Sequence, residues 1–166
     1  MQLTHSDTKF FQKKFPITLV CDNVSNAPNI GSILRLADAF GLEKVYFCGD
    51  HIPIGRRMKK TSRAAENVID YEVQENISDV IQTLKENDYQ LIALEITTDS
   101  IPLSSFKVQP KQSVAVVIGG ENHGIQDHIL AQCDTTFHIP MYGQNSSMNV
   151  THATAIILNS ITNMLV

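Results

Sequence analysis

Several short apolar runs without polar alternation limit the folds open to this chain. The clearest is VAVVI at Val114–Ile118, and similar runs cover Ile17–Cys21, Val45–Cys48 and Gln90–Ile96. A strand with one face in water alternates polar and apolar residues, whereas a strand covered on both faces does not. Helical patterns separate these runs, and 166 residues fit one domain. We therefore predict a single-domain α/β fold with a mainly parallel sheet flanked by helices.

The remaining elements follow from periodicity and from turn-forming residues. Helices are predicted from near Ile30 to before Gly41, over Ile77–Lys85, over Gly124–Gln132 and from Asn149 or Val150 onward. A short edge strand is predicted within Val68–Val73, a last strand over Thr135–Ile139 and a loop from Gly49 to Arg63. In the last helix, the predicted core face is Val150, Ala153, Ile157, Leu158, Ile161, Met164 and Leu165, opposite Thr151, His152, Asn159, Thr162 and Asn163.

Composition argues against several classes of protein. No apolar stretch reaches the roughly 18 residues of a membrane span, and the N-terminus has no apolar signal region. The three cysteines are widely spaced, and the six histidines show no metal-ligand spacing. We therefore expect a cytoplasmic protein with reduced cysteines, no metal and no membrane partner.

The charge is unevenly distributed along the chain. The net charge is −4, but residues 1–63 carry ten Lys and Arg against five Asp and Glu, which makes them basic. The densest cluster is Arg56, Arg57, Lys59, Lys60 and Arg63. Because the potential felt by a ligand is local, such a cluster can contact RNA phosphates. A solvated loop is the alternative interpretation.

A strand, a loop and a helix follow one another near the C-terminus, in IPMYGQNSSMNVTHATAIIL at Ile139–Leu158. Ser147 and Asn149 stand at the start of the helix, where unpaired backbone N–H groups and small polar side chains can hold a ligand. Helix capping by either residue is the alternative interpretation, and it is the preferred one for this loop taken alone.

Two further motifs precede this segment. Asn29-Ile30-Gly31-Ser32-Ile33-Leu34-Arg35 follows the first strand, with Arg35 off the core face of the helix. Gly119-Gly120-Glu121-Asn122-His123-Gly124 follows Val114–Ile118, where such a loop can present backbone groups to a cofactor.

Together the three motifs resemble those of the SpoU (TrmH-like) RNA ribose 2′-O-methyltransferases of the SPOUT superfamily. Met148 and Thr151 replace the Leu and Ser usual in the last motif. The resemblance implies a methyltransferase domain over residues 16–166 after a short basic lead-in at 1–15. It also implies a trefoil knot, which would be a rare exception among protein folds.

The same resemblance implies S-adenosylmethionine as the cofactor and assigns the site residues. The implied cofactor contacts are Leu94, Glu95, Thr97, Gly119, Gly120, Glu121, Ile139, Met141, Ser147, Met148 and Asn149. Arg35 would orient the ribose and contact RNA, while Asn29, Ser147, Glu121 and Asn149 would complete the catalytic group. Arginine is a poor general base because its guanidinium stays protonated.

The substrate is less constrained than the chemistry. Several family members carry an added N-terminal domain for ribosomal RNA, so the short lead-in here favours tRNA, with ribosomal RNA as the alternative. A non-catalytic, knotted RNA-binding or assembly factor is the third possibility. An NAD enzyme is disfavoured because no G-x-G-x-x-G follows the first strand. A homodimer is expected from the apolar Leu36 and Ala39 and from the family's two-fold assembly.

Overall fold

The computed structural model of the protein describes residues 10–109 and 111–166. Residues 1–9 of the predicted basic lead-in lie outside this part of the chain. Lys13, from the same lead-in, donates to the backbone oxygen of Leu165 at 3.1 Å. Its ammonium also lies 4.6 Å from the centre of the Phe15 ring.

The described residues form a seven-stranded sheet in which every pair of neighbouring strands is parallel. The strands are β1 (Phe15–Asp22), β2 (Leu42–Cys48), β3 (Tyr71–Gln74), β4 (Gln90–Leu94), β5 (Ile101–Pro102), β6 (Val114–Gly119) and β7 (Thr135–His138). Their order across the sheet is β3-β2-β1-β6-β4-β7-β5. The predicted edge strand is confirmed as β3, whereas the two-residue β5 was not predicted.

Five α-helices connect or cover these strands in the described part of the chain. They are α1 (Ala27–Ala39), α2 (Arg56–Ser62), α3 (Ile77–Glu86), α4 (Asp127–Leu130) and α5 (Val150–Leu165). Asn26 caps α1 by accepting a hydrogen bond from the Asn29 N–H at 3.2 Å, and Pro28 occupies the first turn, where its missing N–H costs nothing. The predicted helices near Ile30, over 77–85 and after Asn149 are therefore confirmed.

Both faces of the sheet are covered, which explains its apolar strands. Val114, Val116 and Ile118 of β6 pack in one hydrophobic cluster with α1, α2 and α5. Ala115 and Val117 pack in a second cluster with α3 and α4. Because neighbouring side chains on a strand point to opposite faces, a strand between two helical layers has no position for a polar residue. The fold therefore has three layers, as the sequence predicted.

The loop prediction for Gly49–Arg63 was wrong over its second half, which forms α2. Only Met58 and Ser62 of this helix are buried, four residues apart on one face. Four basic residues occupy most of its other positions, so too few apolar residues remain to produce a recognisable period. The contact with α1 rather than an intrinsic pattern stabilises this helix.

Gly31 makes the contact between α1 and α2 possible. A Cβ at Gly31 would lie 2.1 Å from the Met58 carbonyl oxygen and 2.1 Å from the Thr61 hydroxyl. The same hydroxyl donates to the Pro28 carbonyl oxygen at 2.9 Å. The first motif therefore positions the basic helix directly against the helix that carries Arg35.

Two residues of α5 lie on the face opposite to the predicted one. Met164 is 43% exposed, although it was assigned to the core, and Thr162 is only 7% exposed. The Thr162 hydroxyl donates to the Leu158 carbonyl at 2.8 Å, and Thr154 donates to Val150 at 2.7 Å. An intrahelical bond satisfies each hydroxyl, so these threonines can be buried at little cost.

The chain beyond β7 turns back across the sheet. β7 lies beyond β4, yet α5 returns across the sheet to pack on α1 and β6. The trefoil knot therefore stays a prediction. Across the described residues, the helices are too short or too polar to cross a membrane.

Candidate functional site

Asp22 ends β1 and ties the loop after β6 to it. The carboxylate is fully buried and accepts hydrogen bonds from the backbone N–H and the side-chain amide of Gln126, at 2.9 and 2.8 Å. Asn23 Nδ2 donates to the same carboxylate at 2.8 Å, and Gly120 N donates to the Asp22 carbonyl oxygen at 2.8 Å. A buried carboxylate needs such partners, so this network specifies one arrangement of the loop.

Glu95, just after β4, holds the far end of the same loop. Its Oε2 accepts from the Ile125 N–H at 3.2 Å and its Oε1 from the Ile96 N–H at 3.0 Å. Gly124 has φ +63°, and a Cβ there would lie 2.5 Å from Glu95 Oε2. Any side chain at Gly124 would be strained and would displace the carboxylate. The last glycine of the second motif therefore serves this contact.

The three sequence motifs meet at Glu121. Asn29 Nδ2 and Asn149 Nδ2 each donate to Glu121 Oε1 at 2.9 Å, although the three residues are far apart in sequence. Asn149 is also the N-cap of α5, where its Oδ1 accepts from the Thr151 N–H at 2.8 Å. Since capping occupies Oδ1, the amide nitrogen must face Glu121. Asn149 thus caps the helix, which was one of the two alternatives for this residue, and it also joins α5 to the loop after β6.

A cavity of about 210 Å³ opens beside this hydrogen-bonded group, at the carboxyl ends of β4, β6 and β7. Ligands of open parallel sheets bind at these strand ends. All the predicted cofactor residues except Thr97 and Asn149 line it, namely Leu94, Glu95, Gly119, Gly120, Glu121, Ile139, Met141, Ser147 and Met148. Asn149 instead bonds to Glu121, and the Thr97 backbone bonds to Ser100.

The lining of the cavity suits an uncharged or cationic ligand. Leu94, Ile118 and Ile139 provide apolar surface, while Glu95 and Glu121 carry carboxylates. Among the described residues that line it, none is a lysine or arginine. Polyphosphate ligands require cations or a ring of N–H donors, so this composition disfavours nucleotides of the NAD or ATP type.

Arg35 lies in a separate surface depression of about 450 Å³ between α1, α2 and α5. It is exposed, and Lys60 and Arg63 line the same depression. Thr151 and His152 of α5 complete one wall, while the nearby Ala153 lines the cavity described above. The first turn of α5 therefore stands between the cluster of cations and the cavity.

The predicted basic cluster forms one exposed surface. Arg56, Arg57, Lys59 and Lys60 are exposed on α2, and Arg63 follows it in the left-handed region at φ +55°. Arg35, which was also predicted to contact RNA, lines the same depression as Lys60 and Arg63, and we call the six residues together the basic surface.

Some lining residues were not predicted as parts of the site. Ile118, Gly124, His138, Val150 and Ala153 also line the cavity, whereas Ile96, which lines it too, lies within the predicted contact segment 94–97. Val150 and Ala153 were assigned to the core, and no motif singles out His138. Asp22 carried one usable signal, an acidic residue at the end of an apolar strand. Its role depends on Gln126, which is 104 positions away. No cluster of three or more His, Cys, Asp or Glu able to hold a metal occurs among residues 10–109 and 111–166.

The protein has a parallel sheet with a cavity at its strand ends, and three sequence motifs converge beside that cavity. These features define a ligand-binding α/β protein. A model of the SpoU rRNA Methylase family matches residues 16–159. This match spans nearly the whole sheet and most of α5. The chain therefore belongs to the SpoU rRNA Methylase family, as the motifs predicted.

Comparison with individual proteins agrees. The chain is 30% identical over 143 residues to the 23S rRNA (guanosine-2'-O-)-methyltransferase RlmB of Bordetella pertussis, a match that covers 86% of this chain and 57% of that protein. It thus spans a little over half the length of this relative.

Solved structures support the fold. The TrmH/SpoU tRNA modifying enzyme of A. aeolicus superposes with a TM-score of 0.81 and 26% identity, over 92% of this chain and 76% of that one. The AdoMet-bound rRNA methyltransferase of Sinorhizobium meliloti gives a TM-score of 0.85 at 22% identity, over 95% of this chain and 59% of that one. The predicted α/β class with a mainly parallel sheet is confirmed.

Proposed function

We propose that this protein is an S-adenosylmethionine-dependent RNA ribose 2′-O-methyltransferase. The observation that carries the proposal is the convergence of Asn29, Glu121 and Asn149 beside the cavity, since each residue comes from a different family motif. Membership of the SpoU family and the named activity of the Bordetella relative support it. We assign the activity to a domain over residues 16–166.

The cavity fits the proposed cofactor. S-adenosylmethionine carries a sulfonium and an ammonium against one carboxylate, so it is a net cation, and the carboxylates of Glu95 and Glu121 complement that charge. The apolar side chains and the backbone of Gly119 and Gly120 suit an adenine ring. When bound, the cofactor supplies an electrophilic methyl group on sulfur, which a ribose oxygen can accept.

The chain's own residues would position the reactants. Displacement at a methyl carbon requires the attacking oxygen in line with the leaving sulfur, so positioning in a pocket that excludes water accounts for most of the acceleration. Ser147 lines the cavity, and the Asn29–Glu121–Asn149 group fixes the adjacent loops. Arg35 orients the ribose and its phosphate, and the hydroxyl proton passes to a phosphate oxygen or water. Because arginine stays protonated, no step uses it as a base.

Arg35 does not line the cavity of its own protomer, so a catalytic role for this residue suits a homodimer in which a second copy helps to complete the site. Leu36 and Ala155 line the depression of Arg35, and Ala39 is exposed beside them, so this face offers small and apolar residues to a second copy. Association through this face would place the Arg35 of each protomer near an interface. We propose that the active assembly is this dimer.

The basic surface is our proposed RNA contact. Its cations are exposed on α2 and beside it, and the packing of Gly31 against Met58 holds them against α1. Phosphate contacts supply most of the affinity of proteins for RNA that does not depend on sequence. RNA lying across α2 would therefore approach the proposed dimer interface beside Arg35.

Transfer RNA is the substrate class we favour, and ribosomal RNA is the alternative. The support for tRNA is the match to the tRNA modifying enzyme of A. aeolicus, which covers 92% of this chain and 76% of that one. The match to the Bordetella relative covers 86% of this chain and 57% of that protein. We also propose a cytoplasmic location. The free cysteines, Cys21, Cys48 and Cys133, agree with a reducing compartment.

The direct test is methyl transfer from tritiated S-adenosylmethionine to fractionated cellular RNA, with 2′-O-methyl nucleotides mapped afterwards. Calorimetry in EDTA should show cofactor binding, because the displacement requires no metal. Competition by NADH, or binding only with a divalent cation, would contradict the proposal. Cofactor binding without methylation of tRNA or ribosomal RNA would favour the non-catalytic RNA-binding alternative.

A further inference from the structure

Ser100 Oγ lies within hydrogen-bonding distance of both the Thr97 backbone and the His138 ring. Ser100 Oγ lies 2.8 Å from the Thr97 carbonyl oxygen, to which it donates, and it accepts from the Thr97 N–H at 3.0 Å. His138 Nδ1 lies 3.0 Å from the same oxygen. A serine hydroxyl has one hydrogen, and the Thr97 carbonyl takes it. The third contact is therefore a hydrogen bond that His138 Nδ1 donates.

This assignment leaves His138 Nε2 as an acceptor. In a neutral imidazole one nitrogen donates and the other accepts, so protonation at Nδ1 leaves a lone pair on Nε2. His138 lines the cavity at the end of β7. In the described chain no residue forms a hydrogen bond to Nε2, and no buried side-chain nitrogen or oxygen lacks a partner. Nε2 is therefore accessible, on a residue that lines the cavity.

We propose that His138 is a cofactor-contact residue whose Nε2 accepts a hydrogen bond from an N–H or O–H group of bound S-adenosylmethionine. The inference rests on the proposed function and adds a contact that the sequence motifs do not contain. Ser100 acts through His138, as a positioning residue that selects the tautomer. The turn from Thr97 to Ser100 thus supports the cavity without lining it.

Binding of S-adenosylhomocysteine, which cannot react, measures this contact. His138→Leu removes the acceptor at similar volume and should weaken binding about three- to tenfold, the usual effect of losing one neutral hydrogen bond. His138→Gln keeps an acceptor and should bind within about twofold of the wild type. His128→Leu is the matched control, since His128 lies on α4 and does not line the cavity. That variant should bind like the wild type.

Methylthioadenosine, which lacks the amino-acid portion, locates the donor. An equal loss for both ligands in His138→Leu would assign the donor to the adenine or ribose. A loss for S-adenosylhomocysteine alone would assign it to the ammonium group. Both outcomes support the proposal, whereas unchanged affinity for both ligands overturns it.

Nitrogen NMR of the histidine rings tests the tautomer without any variant. The cofactor-free wild type should show His138 protonated at Nδ1, and Ser100→Ala should remove this preference. Protonation at Nε2 in the wild type would overturn the inference even if His138→Leu fails to fold. If the wild type binds no S-adenosyl compound, the proposed function itself fails. If wild type and His138→Leu bind such a compound equally well, only the role of His138 fails.

Discussion

Asn149, the residue that caps α5, donates a hydrogen bond to Glu121 at 2.9 Å. One side chain therefore joins the start of the last helix to the loop after β6. The cap holds the amide oxygen of Asn149 on Thr151, and this leaves the amide nitrogen for Glu121. The stability of α5 and the geometry of the site therefore depend on different atoms of Asn149.

This division predicts that substitutions at Asn149 can separate stability from activity. Asn149→Ser keeps a good cap but cannot reach Glu121, so methyl transfer should fall about tenfold or more while the melting temperature stays close to wild type. Asn149→Ala should lose both, with about 1 kcal/mol of stability, or about 2–4 °C in a chain of this size. Thermal melting and single-turnover methyl transfer measure the two effects. Equal activity of Asn149→Ser and wild type would contradict a role for the bond to Glu121.

Arg35→Ala should impair turnover without affecting cofactor affinity. Arg35 is exposed and does not line the cavity, so the fold and S-adenosylmethionine binding should survive. A positioned catalytic group typically contributes about 10²–10⁴ in rate, and single-turnover methyl transfer at saturating RNA should fall by that factor. Arg35→Lys should recover little, because lysine lacks the planar fork.

Asp38→Ala is the matched control for Arg35, since Asp38 is exposed on α1 and does not line the depression. Its turnover should equal that of the wild type. Full activity in Arg35→Ala would refute the role proposed for this side chain.

Replacement of the basic residues on α2 should weaken RNA binding and its dependence on salt. The variant with Arg56, Arg57, Lys59 and Lys60 changed to alanine should lower the slope of log affinity against log salt by up to about 0.7 for each lost phosphate contact to a single strand. Cofactor affinity should stay constant, since none of these residues lines the cavity. RNA binding measured by anisotropy at several salt concentrations gives the slope.

The control changes Lys85 and Lys107, which are also positively charged but lie away from α2. That pair of substitutions should leave the slope close to wild type. An unchanged slope in the α2 variant would favour a merely solvated surface.

The face around Leu36 should mediate dimerisation. Leu36→Arg places a long cation in the proposed interface and should give a monomer mass by light scattering at micromolar concentration, where the wild type should be a dimer. Val68→Arg is the control, because Val68 is 63% exposed and does not line the depression of Arg35. An active wild-type preparation with a monomer mass would exclude the dimer.

The cysteines should react slowly with iodoacetamide until the protein unfolds. Burial raises the pKa of the Cys48 and Cys133 thiols to about 12 and that of Cys21 well above its ordinary value. The thiolate is the reactive form, so native protein at pH 8 should be labelled far more slowly than protein in urea, where the pKa returns to about 8.5. Mass spectrometry after timed labelling measures this, and rapid native labelling of Cys48 would contradict the buried strand.

The raised pKa values of the three thiols also predict how the stability of the protein changes with pH. Because the folded pKa values are raised, the unfolded state releases these protons first as the pH rises. Stability should therefore decline from about pH 8.5 toward pH 12. Urea denaturation across that range should show the decline. The measurement requires free thiols, because a blocked thiol cannot release a proton.

Local sequence patterns and motif spacing were sufficient to predict the fold class of this protein and most of the residues that line its cavity. Unalternating runs such as Val114–Ile118 predicted a sheet covered on both faces, because a strand between two helical layers has no place for polar residues. Three ordered motifs identified the family and most of the residues that line the cavity. Family motifs mark these positions since their glycines and amides meet specific steric and hydrogen-bonding needs, as Gly31 and Gly124 illustrate.

Only the tertiary structure decided which distant residues meet. The burial of Thr162, the formation of α2, the bond from Gln126 to Asp22 and the contact of His138 with Ser100 each depend on partners that no local pattern specifies. The placement of Arg35 outside the cavity is of the same kind. Hydrogen bonds and close packing depend on distances of a few ångströms between atoms, and the sequence order of residues far apart in the chain does not determine those distances until the sheet and helices have assembled.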